Sequence, residues 1–327
     1  SRMQNYRHGP VGRSTQAKPI RIGTQAKMLN SPIGVVVIDK PAGMSSHAVV
    51  SRARRTLGMK KIGHAGTLDP DATGVLVLGV GQATRLLGYL TRDDKGYVAT
   101  VRLGQSTDTD DAQGNQTAAE STASLTQAQI EAAFASNVGT INQVPSSVSA
   151  VKVDGKRAYA RVRAGEQVEL EPRTVTIHEL RLGQVTRGSD TVDVEIHVRC
   201  SAGTYIRAIA RDTGALLGVG GHLTSLCRTT SGAFTLAEAQ SLSEWEKLTP
   251  VEAAKLLMSP AEAASRSLPV CQIDSDTALA ISHGTRIPWP GDTLSATATA
   301  LVHNQRLLAI GESIEGRLHY CAVFPSG

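Results

Sequence analysis

The period of apolar positions changes several times along the chain, and the changes mark out its elements. Gly34-Val-Val-Val-Ile-Asp39 is a short β-branched run and reads as a buried strand. Lys40-Pro41-Ala42-Gly43 is turn chemistry, after which Ser45 or Ser46 caps a helix through about Leu57, closed by Gly58. The polar, glycine-punctuated run Gly63–Pro70 is predicted to be a loop, Ala72–Gly79 a strand, Gln82–Leu90 a helix and Gly96–Leu103 a strand. Gln105–Gln116 is polar and reads as a loop. Beyond it a helix is expected at 126–135, and a strand and turn over 144–160 around Asp154-Gly155. Alternating strands follow at 174–183 and 191–199, then a helix from Ile206 to Leu217 ended by Gly218.

Strands dominate, and few strand–helix pairs recur in the regular order of a doubly wound sheet. Residues 31–248 are therefore predicted to form a mixed α+β domain, with a mainly antiparallel sheet. Residues 250–264 favour helix and 268–327 favour short strands with Gly/Pro turns, so 249–327 reads as a linker helix and a small β-rich domain. Residues 1–30 are polar, basic and aperiodic, the pattern of a disordered tail. A chain of 327 residues exceeds what one hydrophobic core usually serves, which agrees with two domains.

Charge changes this picture only locally. The net charge of +5 comes from 34 basic and 29 acidic residues, and the tail holds six of the former and none of the latter. Without the tail the balance is −1, so the high overall pI is a property of the tail. Arg52, Arg54, Arg55, Lys60 and Lys61 form a local cluster that suits either phosphate contact or a solvated helix face. The four cysteines (Cys200, Cys227, Cys271, Cys321) lie far apart with no metal-ligand spacing, as expected of reduced thiols. No apolar run reaches the roughly 18–20 residues of a membrane span, and the N-terminus lacks a secretory signal. A cytoplasmic protein is expected.

Candidate chemistry concentrates in Gly63-His-Ala-Gly-Thr-Leu-Asp-Pro-Asp-Ala-Thr-Gly74. Its glycines permit close backbone approach to a ligand, Pro70 fixes the chain after Asp69, and an irregular polar loop between apolar strands suits functional groups. An ordinary capped turn with Asp69 as an Asx residue is the competing reading. Spacing excludes a phosphate loop, a dinucleotide fingerprint and a G-x-S-x-G elbow. Asp108-Thr-Asp110-Asp111 lacks the oxygen ligand and glycine that a calcium loop needs at its fifth and sixth positions.

Taken together, Val37-Ile-Asp-Lys-Pro-Ala-Gly-Met-Ser-Ser46, Gly63-His-Ala-Gly-Thr-Leu-Asp-Pro70 with Ala72-Thr-Gly74, Lys95-Gly-Tyr97, Arg102–Asp110 and Gly203-Thr-Tyr-Ile-Arg207 closely resemble the TruB family of bacterial tRNA pseudouridine-55 synthases. Five motifs stand in family order over roughly residues 33–235. The resemblance implies a pseudouridine synthase fold and conversion of the T-loop uridine of tRNA to pseudouridine, with no cofactor and no metal. The partner would be the tRNA T-arm, and a monomer is expected.

It also implies roles. Asp69 occupies the place of the family's catalytic aspartate, with Arg207 as its partner. A guanidinium within ~4–6 Å typically lowers an Asp pKa by ~1–3 units, so an ionised, low-pKa Asp69 is expected. Tyr97 would stack on the uracil and help remove the C5 proton; Tyr205 and Leu226 would wall the pocket. His64 would enter the space left by the flipped nucleotide, Lys40 and Pro41 would shape the adjoining turn, and Asp110 would support the site. Residues 144–173 resemble the insertion that grips the T-arm, with Ser147-Val148 in place of a larger pair. Residues 249–327 resemble, loosely, the RNA-binding PUA domain through their strand pattern and Gly284-Thr285-Arg286.

Overall fold

The computed structural model describes residues 31–147, 152–153, 156–157, 170–292 and 294–325. The expected tail and most of the expected T-arm insertion lie outside them. Fourteen strands come first: β1 (Gly34–Lys40), β2 (Ile62–Ala65), β3 (Thr73–Val80), β4 (Lys95–Leu103), β5 (Gln105–Thr107), β6 (Gln116–Ala119) and β7 (Gly139–Gln143), then β8 (Lys152–Val153), β9 (Lys156–Arg157), β10 (Arg173–Arg187), β11 (Val192–Cys200), β12 (Gly221–Ser231), β13 (Phe234–Thr235) and β14 (Gln240–Ser241). One large sheet takes the order β14-β1-β3-β12-β4-β11-β10-β7, with β2 beside β3 and β13 beside β12. Most of its pairs are antiparallel; β1–β14 and β3–β12 are parallel. The chain thus has the mixed α+β class expected, with a mainly antiparallel sheet.

The helix Ser46–Leu57 forms where both its caps are written in sequence. Ser45 accepts a hydrogen bond from the Ala48 amide, and Gly58 ends the helix in the left-handed conformation at φ 62°. Its buried Val49, Val50, Ala53 and Leu57 pack on Val36, Ile38, Leu76 and Leu78 of β1 and β3. The helix Ile206–Leu216 covers the other half of the sheet, where Ile206, Ile209 and Ala210 meet Ala99, Val101 and Leu223.

Several expectations need correction. The segment Gln105–Gln116 is not all loop, because β5 and β6 pair into a small hairpin. Part of Gly63–Pro70 is strand, since Ile62–Ala65 zips onto β3. Gln82–Leu90 is a 3-10 turn (Gly81–Leu86) followed by one α-turn (Leu87–Leu90). The largest omission is β12, which sits at the middle of the sheet.

Strands β15 (Val270–Gln272), β16 (Thr299–His303), β17 (Arg306–Ile314) and β18 (Arg317–Val323) form a separate four-stranded sheet. It also holds a helix, Ser275–Ser282, capped by Asp274, that the reading as short strands and turns missed. This sheet shares a core with the large one: Ala300, Val302, Leu307 and Ile310 cluster with Val35, Val37, Val75 and Val77. Among the described residues no helix is long and apolar enough to cross a membrane.

Candidate active site

Three strands bring the site together. The parallel seam aligns Arg228 with Gly74, and the antiparallel one aligns Arg228 with Tyr97. The loop that precedes β3, which carries Asp69, therefore lies beside Leu226 and Arg228 of β12 and Tyr97 of β4. The seam is narrow: at Gly74 (φ +102°) a Cβ would run into the Arg228 backbone, so only glycine lets the two strands meet there.

Hydrogen bonds on either side of Asp69 fix its backbone. Ser46 Oγ accepts from the Leu68 amide at 2.9 Å and donates to the Leu68 carbonyl at 3.2 Å. On the other side the fully buried Lys40 donates from Nζ to the carbonyls of Pro70 (2.8 Å), Met44 (2.7 Å) and Pro41 (2.8 Å). Lys40 thus ties the Lys-Pro turn to the aspartate loop. Burial lowers its pKa to about 8, against the opposing pull of Asp71 and Asp69.

Arg207, only 4% exposed, meets Asp69 through both arms of its fork. Its Nε lies 3.0 Å from Oδ2, and Nη2 donates to Oδ1 at 3.3 Å. Its Nη1 donates to the Thr109 carbonyl at 3.1 Å and lies 3.7 Å from Asp111 Oδ2. The guanidinium is thus locked from behind while Asp69, its side chain 43% exposed, faces the cleft. The expected low pKa of Asp69 is overturned. Burial raises it above the ordinary value and outweighs Arg207, with Asp111 adding to the rise.

Two hollows meet at this pair. One of about 590 Å³ is lined by Asp69, Asp71, Asp111, Arg207 and Leu226 among others. The second, of about 290 Å³, contains Asp69, Tyr97, Tyr205, Arg207 and Leu226, with Lys95 and Arg228. Burial raises the pKa of Tyr97, keeping the phenol protonated, and Arg228 opposes the shift. The structure therefore brings together Asp69, Arg207, Tyr97, Tyr205 and Leu226. His64, Lys40, Pro41 and Asp110 line neither hollow. His64 is half-buried on β2 opposite Leu78, and Pro41 is exposed. Asp110 faces Arg211 (3.4 Å), and its neighbour Asp111 is the residue that reaches Arg207.

Residues given no role from sequence complete the arrangement. Gln143, at the end of β7, accepts from the Tyr205 amide at 2.8 Å and donates to the Tyr205 carbonyl at 3.0 Å, fixing the start of the Arg207 helix. Arg228 and Lys95 enter the smaller hollow. Each stands two residues from one already flagged, Leu226 or Tyr97, and strand periodicity places such neighbours on one face.

Comparison with known proteins gives the arrangement its context. The family model described as TruB family pseudouridylate synthase (N terminal domain) matches residues 54–206. The chain is 50% identical over 270 residues to the tRNA pseudouridine synthase B of Cutibacterium acnes, covering 82% of this chain and 89% of that one. It is 48% identical to its counterpart from Thermobifida fusca, covering 89% and 98%. Among solved structures, a Cbf5-Nop10-Gar1 complex matches with a TM-score of 0.68 at 26% identity, over 92% of this chain and 86% of that one. An H/ACA RNP bound to a substrate RNA containing 2'-deoxyuridine shares the fold, with a TM-score of 0.69 at 24% identity and coverage of 92% and 87%.

Proposed function

The chain belongs to the TruB family of pseudouridylate synthases, and from that premise we propose that it isomerises the T-loop uridine of tRNA, position 55, to pseudouridine with Asp69 as the central catalytic group. The observation that carries the assignment is the Asp69 carboxylate held in both arms of Arg207 at the junction of two hollows, with Tyr97 in one of them.

The chemistry needs little else. The N1–C1′ bond breaks, the uracil turns, and C5 takes the place of N1, so the product is an isomer and neither energy source nor cofactor is required. An ionised carboxylate serves as nucleophile towards sugar or base, or as base at C2′. Arg207 keeps that carboxylate aimed and opposes its protonation. Tyr97 offers its ring to the uracil, and Tyr205 and Leu226 close the walls.

The target nucleotide has to leave its stack, at a cost of a few kcal/mol. His64, in the segment that leads to Asp69, is proposed to fill the gap. Lys40 and Pro41 shape the floor of the loop, and Asp110 supports it through Arg211. Residues 31–248 form the catalytic part, with 144–173 gripping the T-arm, and 249–327 act as a PUA-like RNA-binding part. The protein works as a cytoplasmic monomer without a metal.

The test is Asp69→Asn assayed on a T-arm stem-loop. Turnover is expected to vanish while RNA binding persists; measurable conversion by the variant would remove Asp69 from the centre of the mechanism.

A further inference from the structure

The smaller hollow holds two cations besides Arg207, and neither pairs with a carboxylate among the described residues. Arg228 is 2% exposed. Its Nε donates to the Val75 carbonyl at 2.9 Å, its Nη2 donates to the Gly66 carbonyl at 2.6 Å, and its charge acts on Tyr97. Lys95 is 6% exposed, and its Nζ donates to the carbonyls of Thr91 (2.8 Å) and Asp93 (2.7 Å). Both line the hollow with Asp69 and Tyr97. Burial, and after it the charge of Arg228, lowers the Lys95 pKa to about 8.

Two like charges buried at one hollow, neither in direct contact with a carboxylate among the described residues, are costly. Tying down four carbonyls does not require them, since neutral amide side chains would do that without the repulsion. A hollow that receives negative charge during its working cycle does require them.

We propose that Lys95 and Arg228 stabilise the negative charge that develops on the uracil ring when its bond to the sugar is broken. The inference rests on the reading of the chain as a pseudouridine synthase. When Asp69 attacks C1′, a bond forms between its carboxylate and C1′, the N1–C1′ electron pair leaves with the base, and the charge spreads over N1, O2 and O4. Deprotonation at C2′ also expels the base with that pair, and addition to the ring places the charge on O4. After rotation, C5 gives its electron pair to C1′ and releases the carboxylate. The C5 proton then departs to water and N1 takes one up, so atoms and charge balance. Fixed cations at the place where charge appears need no reorganisation, and loss of one such group typically slows turnover by about 10²–10³-fold.

The experiment compares the single-turnover rates at which the full chain consumes the N-linked target nucleoside on two T-arm stem-loops, one with uridine and one with 5-fluorouridine, by chromatography of the digested RNA; fluorine at C5 leaves no proton for the last step, so loss of the N-linked nucleoside is the readout the two substrates share. Fluorine withdraws electron density and stabilises the departing base by itself. Lys95→Gln and Arg228→Gln are expected to slow uridine about 10²-fold and 5-fluorouridine about ten-fold less than that, raising the rate ratio between the two substrates. Arg228→Lys, which keeps the charge, retains the wild-type ratio. Because both rates come from one preparation, the ratio does not depend on the folded fraction. A ratio that stays at the wild-type value in both Gln variants overturns the proposal, whatever the absolute loss. Failure of the wild type to convert the uridine stem-loop would instead overturn the functional reading beneath it.

Discussion

At the scale of the residue, the site is governed by a contest over one proton. Burial raises the Asp69 pKa and Arg207 lowers it. The ionised form is the working one, so activity is lost as pH falls through the folded pKa, which lies above the ordinary 3.8. Arg207→Gln removes the opposing charge and lets the pKa climb further. Its acid limb in a kcat/KM profile is expected to move to higher pH, with a loss of at least about 10²-fold at neutral pH; an unmoved limb would show that Arg207 only fixes geometry. Asp69 was legible through the resemblance of Gly63–Gly74 to the TruB family's motif, since the loop pattern alone left an ordinary Asx turn open. The direction of its pKa was not legible, because partner charge is visible as a motif and desolvation is a property of the closed fold. Lys40 was legible as a residue and not as a device, since the remote Pro70 carbonyl joins those of Pro41 and Met44 on its Nζ only after folding.

At the scale of the element, what could be read tracked how locally each piece is specified. The helix Ser46–Leu57 carries its own start and stop in Ser45 and Gly58. Strand β12 carries neither: Gly-His-Leu-Thr-Ser-Leu-Cys-Arg-Thr-Thr-Ser shows no clean apolar alternation, because several of its side chains serve the hollows. Its neighbours dictate it, through nine residue pairs with β4 and the glycine seam with β3. The same dependence applies to the start of the Arg207 helix, where Tyr205 makes no side-chain cap and Gln143 takes its place across the sheet edge. Gln143→Met leaves the Tyr205 amide and carbonyl without that partner, at a cost of about 1–3 kcal/mol in stability. Because the same helix aims Arg207, kcat should fall more than KM rises. Denaturant unfolding with steady-state kinetics checks both, and a variant altered in stability alone would reduce Gln143 to a structural clamp.

At the scale of the whole molecule, sequence periodicity suggested a catalytic part followed by a linker helix and a small β-rich domain, and the apolar faces of the two sheets share one core. Val35, Val37, Val75, Val77 and Phe234 of the large sheet cluster with Ala300, Val302, Leu307, Ile310 and Phe324. Arg266 crosses the same boundary to pair with Glu238 at 2.6 Å, and Arg85 donates to the Val323 carbonyl. Alternation within one strand tells which residues face inward; it does not tell which sheet they face. A chain ended after residue 248 would expose that valine and phenylalanine face. Full burial of one such side chain contributes about 1.5–3 kcal/mol, so uncovering several of them together matches the 5–15 kcal/mol by which a typical domain is stable. Residues 31–248 alone are therefore expected to lack a cooperative thermal transition and to aggregate, whereas the full chain melts as one unit. Calorimetry of the two proteins decides the matter. A truncated chain that melts sharply and still converts uridine would mean that the shared core is an accessory contact, and that the C-terminal sheet serves RNA binding alone.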